Sequence, residues 1–276
     1  MARDLLPIVQ ATLAGRYHVE AEIGRGGAAR VFRAIDSAGR PVALKILRPE
    51  LVVTVTADRF LREIEIIQRL DHPRIGRLID SGQSDWLIYY AMPFIPGPSL
   101  QQVLQQRGRI TPADTTRVAR DLLEGLAHAH ARSVVHRDVK PDNILIASDG
   151  AILVDFGIAR AIELAGTDRL TKSGMAVGTS RYMSPEQIMG EATIDPRSDL
   201  YSLGCVLFEC LAGRPPYQHP NELAVLELHR SAPIPDIAAL VPGVPPSLAA
   251  AISRALGKAP SDRWNSATEM RAVLGP

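Results

Sequence analysis

Cysteine is scarce: Cys205 and Cys210 are the two in 276 residues, and both sit inside the apolar stretch YSLGCVLFECLAG. That leaves no disulfide framework and no spaced thiolate set for zinc. Two buried free thiols fit such a context, and they suit a reducing cytoplasm. An excess of charge of one sign is lacking too, since 31 basic against 30 acidic side chains give a formal +1. No overall field therefore draws the chain to nucleic acid or to an anionic lipid surface. No apolar run approaches the ~18 residues that span a bilayer. MARDLLPIVQ, with Asp4 in its first turn, lacks the apolar core and small-residue cleavage site of a signal peptide. Repeats and low-complexity tracts are missing as well. The expectation is a cytoplasmic protein, or the cytoplasmic domain of a longer membrane-anchored one, with no nucleic-acid partner and no membrane segment in this chain.

What is there is ample apolar material, 46% of residues, enough for one large domain or two lobes. YHVEAEIG alternates Tyr17, Val19, Ala21 and Ile23 with polar residues, the period of a half-buried strand. RVFRAI and PVALKIL continue that pattern around the turn DSAGR, and GRLID and WLIYYAM fit two more strands. One helix interrupts them in TADRFLREIEIIQRLDHP, with Thr56 as its N-cap and Pro73 beyond its end. From PGPSL onward the pattern is helical, in SLQQVLQQRG, TPADTTRVARDLLEGLAHAHAR, SDLYSLGCVLFECLAG, NELAVLELHR and PSLAAAISRALG. Strands first and helices after read as an α+β fold, its two lobes meeting at the Pro and Gly cluster Pro93 to Pro98.

Several short stretches carry chemistry. In IGRGGAARV the glycines Gly24, Gly26 and Gly27 free backbone N–H groups to approach a phosphate, although a glycine-rich hairpin turn has the same look. A dinucleotide fold is disfavoured, because Ala29 stands where a third glycine is expected and a strand follows. In VALKIL, Lys45 shares a face with Ala43 inside an apolar strand and needs an anionic partner. Phe60, Ile64, Ile67 and Leu70 form the apolar stripe of the helix downstream; Glu63 falls within that stripe and Glu65 outside it, which makes Glu63 the partner of choice.

HRDVKPDN, residues 136–143, is a polar loop between the apolar runs SVV and ILI. NILI and AILVDFG pair as a hairpin turning at Asp149 and Gly150, which brings Asn143 near Asp155. An amide oxygen and a carboxylate are hard donors that suit Mg²⁺. Asp138 then remains to act on a hydroxyl, and Lys140 to neutralise a phosphoryl group in transfer. The stretch from Ala161 to Met183 has little periodicity, and a loop of that length in a compact domain is characteristically functional.

The ordered set GRGGAARV, VALK, Glu63, HRDVKPDN, DFG and SPE resembles the catalytic domain of bacterial, eukaryotic-like Ser/Thr protein kinases, from about Gly15 to Leu274. The resemblance implies a two-lobed kinase-like fold: a small antiparallel-sheet N-lobe with one main helix over about 15–92, a hinge over about 93–98 and a larger, mostly helical C-lobe over about 99–274. Residues 1–14 then form an N-terminal extension. It implies ATP with Mg²⁺, or Mn²⁺ in its place, and transfer of the γ-phosphoryl group to Ser/Thr hydroxyls of protein substrates.

On that resemblance Ile23, Gly24, Gly26, Gly27, Val31 and Ala43 cover the nucleotide, and Met92 is the gatekeeper. Backbone groups of Pro93, Phe94 and Ile95 lie beside adenine, and Lys45, fixed by Glu63, meets the α and β phosphates. Asp138 accepts the substrate proton with Lys140 beside it, Asn143 and Asp155 hold the metal, and His136 is a packed structural residue. Thr179 bonds near Asp138 and Lys140, Glu186 pairs with Arg263, and Asp199 anchors the catalytic loop. Thr171 and Ser173 in RLTKSGMAVGTSRYMSPE are the expected autophosphorylation sites, served by self-association and met by Arg137 and Arg160. The family pattern is departed from at Ala29, at Pro93 and in SPE. A pseudokinase would ordinarily lack one of Lys45, Asp138, Asn143 or Asp155, and a small-molecule phosphotransferase would lack the Thr-rich segment before SPE.

Overall fold

The computed structural model describes residues 5–48, 56–158, 161–162 and 179–275, which divide into two compact units. The first holds the described residues up to Asp71 together with Gly76–Pro96, Ile158, Ala161 and Ile162. It begins with helix α1 (Leu6–Leu13) and strands β1 (Tyr17–Arg25), β2 (Ala29–Asp36) and β3 (Pro41–Leu47). Helix α2 (Ala57–Ile67) and strands β4 (Asp80–Ser84) and β5 (Leu87–Pro93) complete it. The sheet is antiparallel throughout, in the order β1-β2-β3-β5-β4.

Alternation sorts the side chains of this sheet onto two covered faces. Val19, Phe32, Ala34, Val42, Leu44, Ile46, Tyr89 and Ala91 form one buried cluster with Leu5, Val9 and Leu13, so α1 lies on that face. Leu5, Val9 and Leu13 of the stretch expected as an N-terminal extension are thus packed into the same core as the sheet. Val31 pairs with Lys45, Lys45 with Tyr90 and Ala43 with Met92, which places these residues on the opposite face. There α2 packs, with the Phe60 and Tyr90 rings 6.4 Å apart. Thr56 does occupy the N-cap of α2, but its hydroxyl makes no cap hydrogen bond.

The strand expected in GRLID is displaced to Asp80–Ser84. Leu78 is buried without ladder pairing, and the polar DSGQS is recruited as an edge strand because β5 offers an unpaired side.

The second unit comprises His72–Ile75, Gly97–Gly157 and the described residues from 179 on. Its helices are α3 (Leu100–Arg107), α4 (Pro112–His130), α5 (Pro185–Ile188), α6 (Arg197–Ala212), α7 (Glu222–Ser231), α8 (Ile237–Leu240), α9 (Pro246–Ala255) and α10 (Ala267–Ala272). Ser99 and Gln102 build a capping box on α3, and the Thr111 hydroxyl caps α4. Helix α6 is buried from Ser198 through Leu211 and forms the centre of the unit, with Cys205 and Cys210 as free buried thiols. The short hairpin β6 (Ile144–Ala147) and β7 (Gly150–Leu153) pairs Ile144 with Leu153. His72–Ile75, expected to end the helix of the sheet lobe, belongs here: Arg74 pairs with Asp121 at 3.1 Å and its carbonyl accepts from Leu153 N. Gly97 has a φ of +138°, and a Cβ there would collide with the Ile146 carbonyl.

Candidate active site

In the first unit the residues expected to meet the nucleotide sit along β1, β2, β3 and β5. Gly24 pairs with Val31 across the glycine-rich turn, and Gly26 N donates to Ala29 O at 2.8 Å. Ala29 opens β2 opposite Leu47 and is not among the positive-φ residues, so an alanine there is unstrained. Ile23 stays 48% exposed at the end of β1. Lys45 is 9% exposed and partnered; Glu63 is half-buried on the α2 face that carries Phe60 and Ile64, while Glu65 is exposed. Among the described residues no ion pair joins Glu63 to Lys45.

Beyond Met92 the backbone donors are few. Pro93 has no N–H, and Phe94 N donates to Pro41 O at 3.0 Å. Ile95 therefore carries the N–H this segment can offer. The Phe94 ring is covered by the Arg33 guanidinium, 5.2 Å from its centroid.

In the second unit HRDVKPDN forms a loop ending in the single turn Pro141–Asn143 just before β6. One buried carboxylate holds its start. Asp199, in the first turn of α6, accepts from the backbone N–H of His136 and of Arg137, each at 2.8 Å. Burial pushes the Asp199 carboxyl up, but His130 Nε2 at 2.8 Å and the loop N–H groups outweigh it and hold it below the ordinary carboxylate value. The backbone between these bonds is unusual: Arg137 has a φ of +69°, a conformation that persists because its neighbours over-determine it. Gln187, from α5, adds a bond from Nε2 to Arg137 O at 2.8 Å.

His136 is fully buried and committed on both ring nitrogens, Nε2 to Val154 O at 2.9 Å and Nδ1 accepting from Asp138 N at 3.2 Å. Both ring nitrogens are thus taken up by the backbone around them, so His136 is a packing residue.

Asp138 Oδ2 takes Lys140 Nζ at 2.7 Å and Asn143 Nδ2 at 3.0 Å. The same Asn143 nitrogen also reaches Asp138 O at 2.8 Å. Among the described residues nothing donates to Asp138 Oδ1. With its nitrogen spent on Asp138, Asn143 presents its Oδ1 elsewhere, and Val154 N bonds Asn143 O at 2.9 Å to place Asp155 next in the chain. Asp155 has a φ of +66°. An amide oxygen and a carboxylate are the kind of donors that fit a hard divalent cation. Among the described residues no group of three His, Cys, Asp or Glu could hold a metal ion unaided.

Glu186 and Arg263 form a bidentate pair, both contacts at 2.7 Å, with exposures of 3% and 0%. Ser198 adds its hydroxyl to the same carboxylate. The Thr179 side chain, Arg160, Thr171 and Ser173 lie outside the described residues. Two partners went unread in the sequence: His130 on Asp199, and Tyr182, whose hydroxyl donates to the buried Glu209. Each pair is separated by tens of residues and has no local spacing signal.

The family model described as the protein kinase domain matches residues 17–272. The chain belongs to the protein kinase family. Among curated relatives, a serine/threonine-protein kinase PknD of Mycobacterium tuberculosis is 41% identical over 93% of this chain and 39% of its own length. The probable serine/threonine-protein kinase PknB of Bifidobacterium longum is 37% identical over 94% of this chain and 39% of its own. The serine/threonine-protein kinase PknL of M. tuberculosis is 36% identical over 97% and 67%. This kinase domain thus spans about two fifths of the length of the first two. No helix among its described residues is long and apolar enough to cross a membrane.

Proposed function

We propose that this kinase domain transfers the γ-phosphoryl group of ATP to Ser or Thr hydroxyls of proteins, with Asp138 as the group that orients and deprotonates the hydroxyl. The observation that carries the reading is the asymmetry of the Asp138 carboxylate. Lys140 and Asn143 occupy Oδ2 and fix the plane of the group, while Oδ1, to which nothing donates among the described residues, is the oxygen this reading gives to the substrate proton. The Asp199 bonds hold the loop backbone during the reaction, so little reorganisation accompanies it. Lys140 Nζ, already at Asp138, is placed to offset charge on the phosphoryl oxygens. Asn143 Oδ1 and Asp155 would hold Mg²⁺, with Mn²⁺ as its substitute; when bound, the cation supplies charge neutralisation at the phosphates. Lys45 meets the α and β phosphates, supported by Glu63. Val31, Ala43 and Met92 pack the base, and Ile95 N–H is its backbone donor.

Autophosphorylation at Thr171 and Ser173, self-association to achieve it and a cytoplasmic location are part of this reading and rest on the sequence.

The test is Asp138→Asn, with ATP affinity by calorimetry measured beside turnover on a protein substrate. We expect turnover to fall by about 10²-fold or more while nucleotide affinity stays within a few-fold. Equal loss of both would remove the role given to Asp138.

A further inference from the structure

The glycine-rich turn that joins β1 to β2 is closed at its base by charges that no phosphate-binding pattern requires. Arg25 and Arg30 stand directly opposite each other across the strands, an arrangement of like charges that would push the strand ends apart. One carboxylate, three residues before Arg25, answers both. Glu22 Oε1 accepts Arg25 Nε at 2.7 Å and Arg30 Nε at 2.8 Å. Its Oε2 accepts Arg25 Nη2 at 3.2 Å and also meets Arg30 Nη2.

The three groups differ in exposure. The Arg25 side chain is 60% exposed, Glu22 14% and Arg30 9%. Arg30 also lies over the Phe32 ring, 5.8 Å from its centroid, at the edge of the buried cluster. Burial makes Arg30–Glu22 the firm half of the cluster. The charge and bonds of Arg30 first, then of Arg25, hold the Glu22 carboxyl down to about 2. The β1–β2 register also slips between Glu22 and Gly24, and a bulge at that place bends the strand and lets one side chain reach both arginines.

Resting on the nucleotide-binding role proposed above, we infer that Glu22 and Arg30 are positioning residues for the glycine-rich turn, a carboxylate clasp that holds its backbone N–H groups ready for phosphate. Without the clasp the facing arginines repel, the turn samples open states, and ordering it falls to the nucleotide. The cost therefore appears in nucleotide affinity and in KM for ATP. At saturating ATP the turn is closed again, and kcat is preserved.

The test uses the whole chain with Glu22→Gln, Arg30→Met, the double variant and Arg30→Lys. Affinity for a non-hydrolysable ATP analogue with Mg²⁺ is measured by calorimetry, alongside KM, kcat and Tm. Glu22→Gln and Arg30→Met should each weaken binding and raise KM by about five- to tenfold, with kcat within twofold. The double variant should be no worse than the weaker single, and Arg30→Lys should recover part of the loss. A lowered Tm with unchanged affinity would reduce the clasp to fold support and overturn the inference, as would a fall in kcat at unchanged KM. Wild-type chain that binds no analogue at all would instead strike at the nucleotide-binding reading itself.

Discussion

Arg263→Met removes the most heavily bonded side chain of the helical unit. Its guanidinium makes both 2.7 Å contacts to Glu186 and donates to Gly257 O at 2.7 Å, Lys258 O at 2.9 Å and Arg197 O at 3.2 Å. It also lies 4.8 Å from the Tyr201 ring centroid, fully buried. Methionine fills part of the volume but leaves Glu186 buried with the Ser198 hydroxyl as its remaining side-chain partner. Breaking one side of a buried pair costs about 3–5 kcal/mol. At about 2–4 °C per kcal/mol for a chain of this size, Tm at pH 7 should fall by about 6–20 °C.

The pH dependence separates charge from packing. Burial pushes the Glu186 carboxyl up, yet Arg263 and Ser198 outweigh it and hold it below its ordinary value of 4.5. A depressed folded pKa means that the contribution of the pair is complete above 4.5 and is lost as pH falls through the lower, folded value. In Arg263→Met the same carboxylate is uncompensated and is relieved by protonation, so the gap between wild type and variant narrows as pH falls from 7 to 4. Adding Glu186→Gln to the variant should restore part of the lost Tm. Thermal unfolding followed by circular dichroism reads all three. A Tm within 2 °C of wild type at pH 7, or a gap that does not change with pH, would refute the reasoning.

Asp199→Asn should lower kcat by about 10- to 100-fold, because an amide cannot accept from His136 N, Arg137 N and His130 together; steady-state kinetics with kcat unchanged would contradict the tether. Lys45→Met and Glu63→Gln should be strongly non-additive, and a double variant whose loss equals the sum of the singles would turn attention to Glu65. Mass spectrometry of protein made with active and with Asp138→Asn enzyme should find phosphate at Thr171 and Ser173 in the active form alone, each adding about −1.5 to −2 charge. Full activity of the Thr171→Ala, Ser173→Ala double variant would remove that switch.

Contiguity decided what the sequence disclosed. HRDVKPDN, DFG and the alternation of VALKIL compress their chemistry into a few neighbouring residues. The faces of Lys45 and Glu63 follow from strand and helix periods alone. Other features depend on neighbours far along the chain. Asp80–Ser84 has no alternation and is a strand because β5 is there to pair with it. His130 lies 69 residues from the carboxylate it serves. Arg30 reaches Glu22 through a register slip that no pattern foretells. Leu5, Val9 and Leu13 do recur at helical spacing, but a stretch of eight residues becomes a helix only when an apolar sheet face receives it.

That helix separates two kinds of boundary. The family match opens at residue 17, whereas Leu5, Val9 and Leu13 before it are already buried in the core of the sheet lobe. A protein expressed from residue 17 would keep every motif and yet lose Val9 and Leu13 from the buried cluster, leaving apolar sheet surface open to water, the kind of patch that makes chains clump. For this domain, homology marks where the chemistry starts, and the shield over the sheet starts eleven residues earlier, where α1 begins.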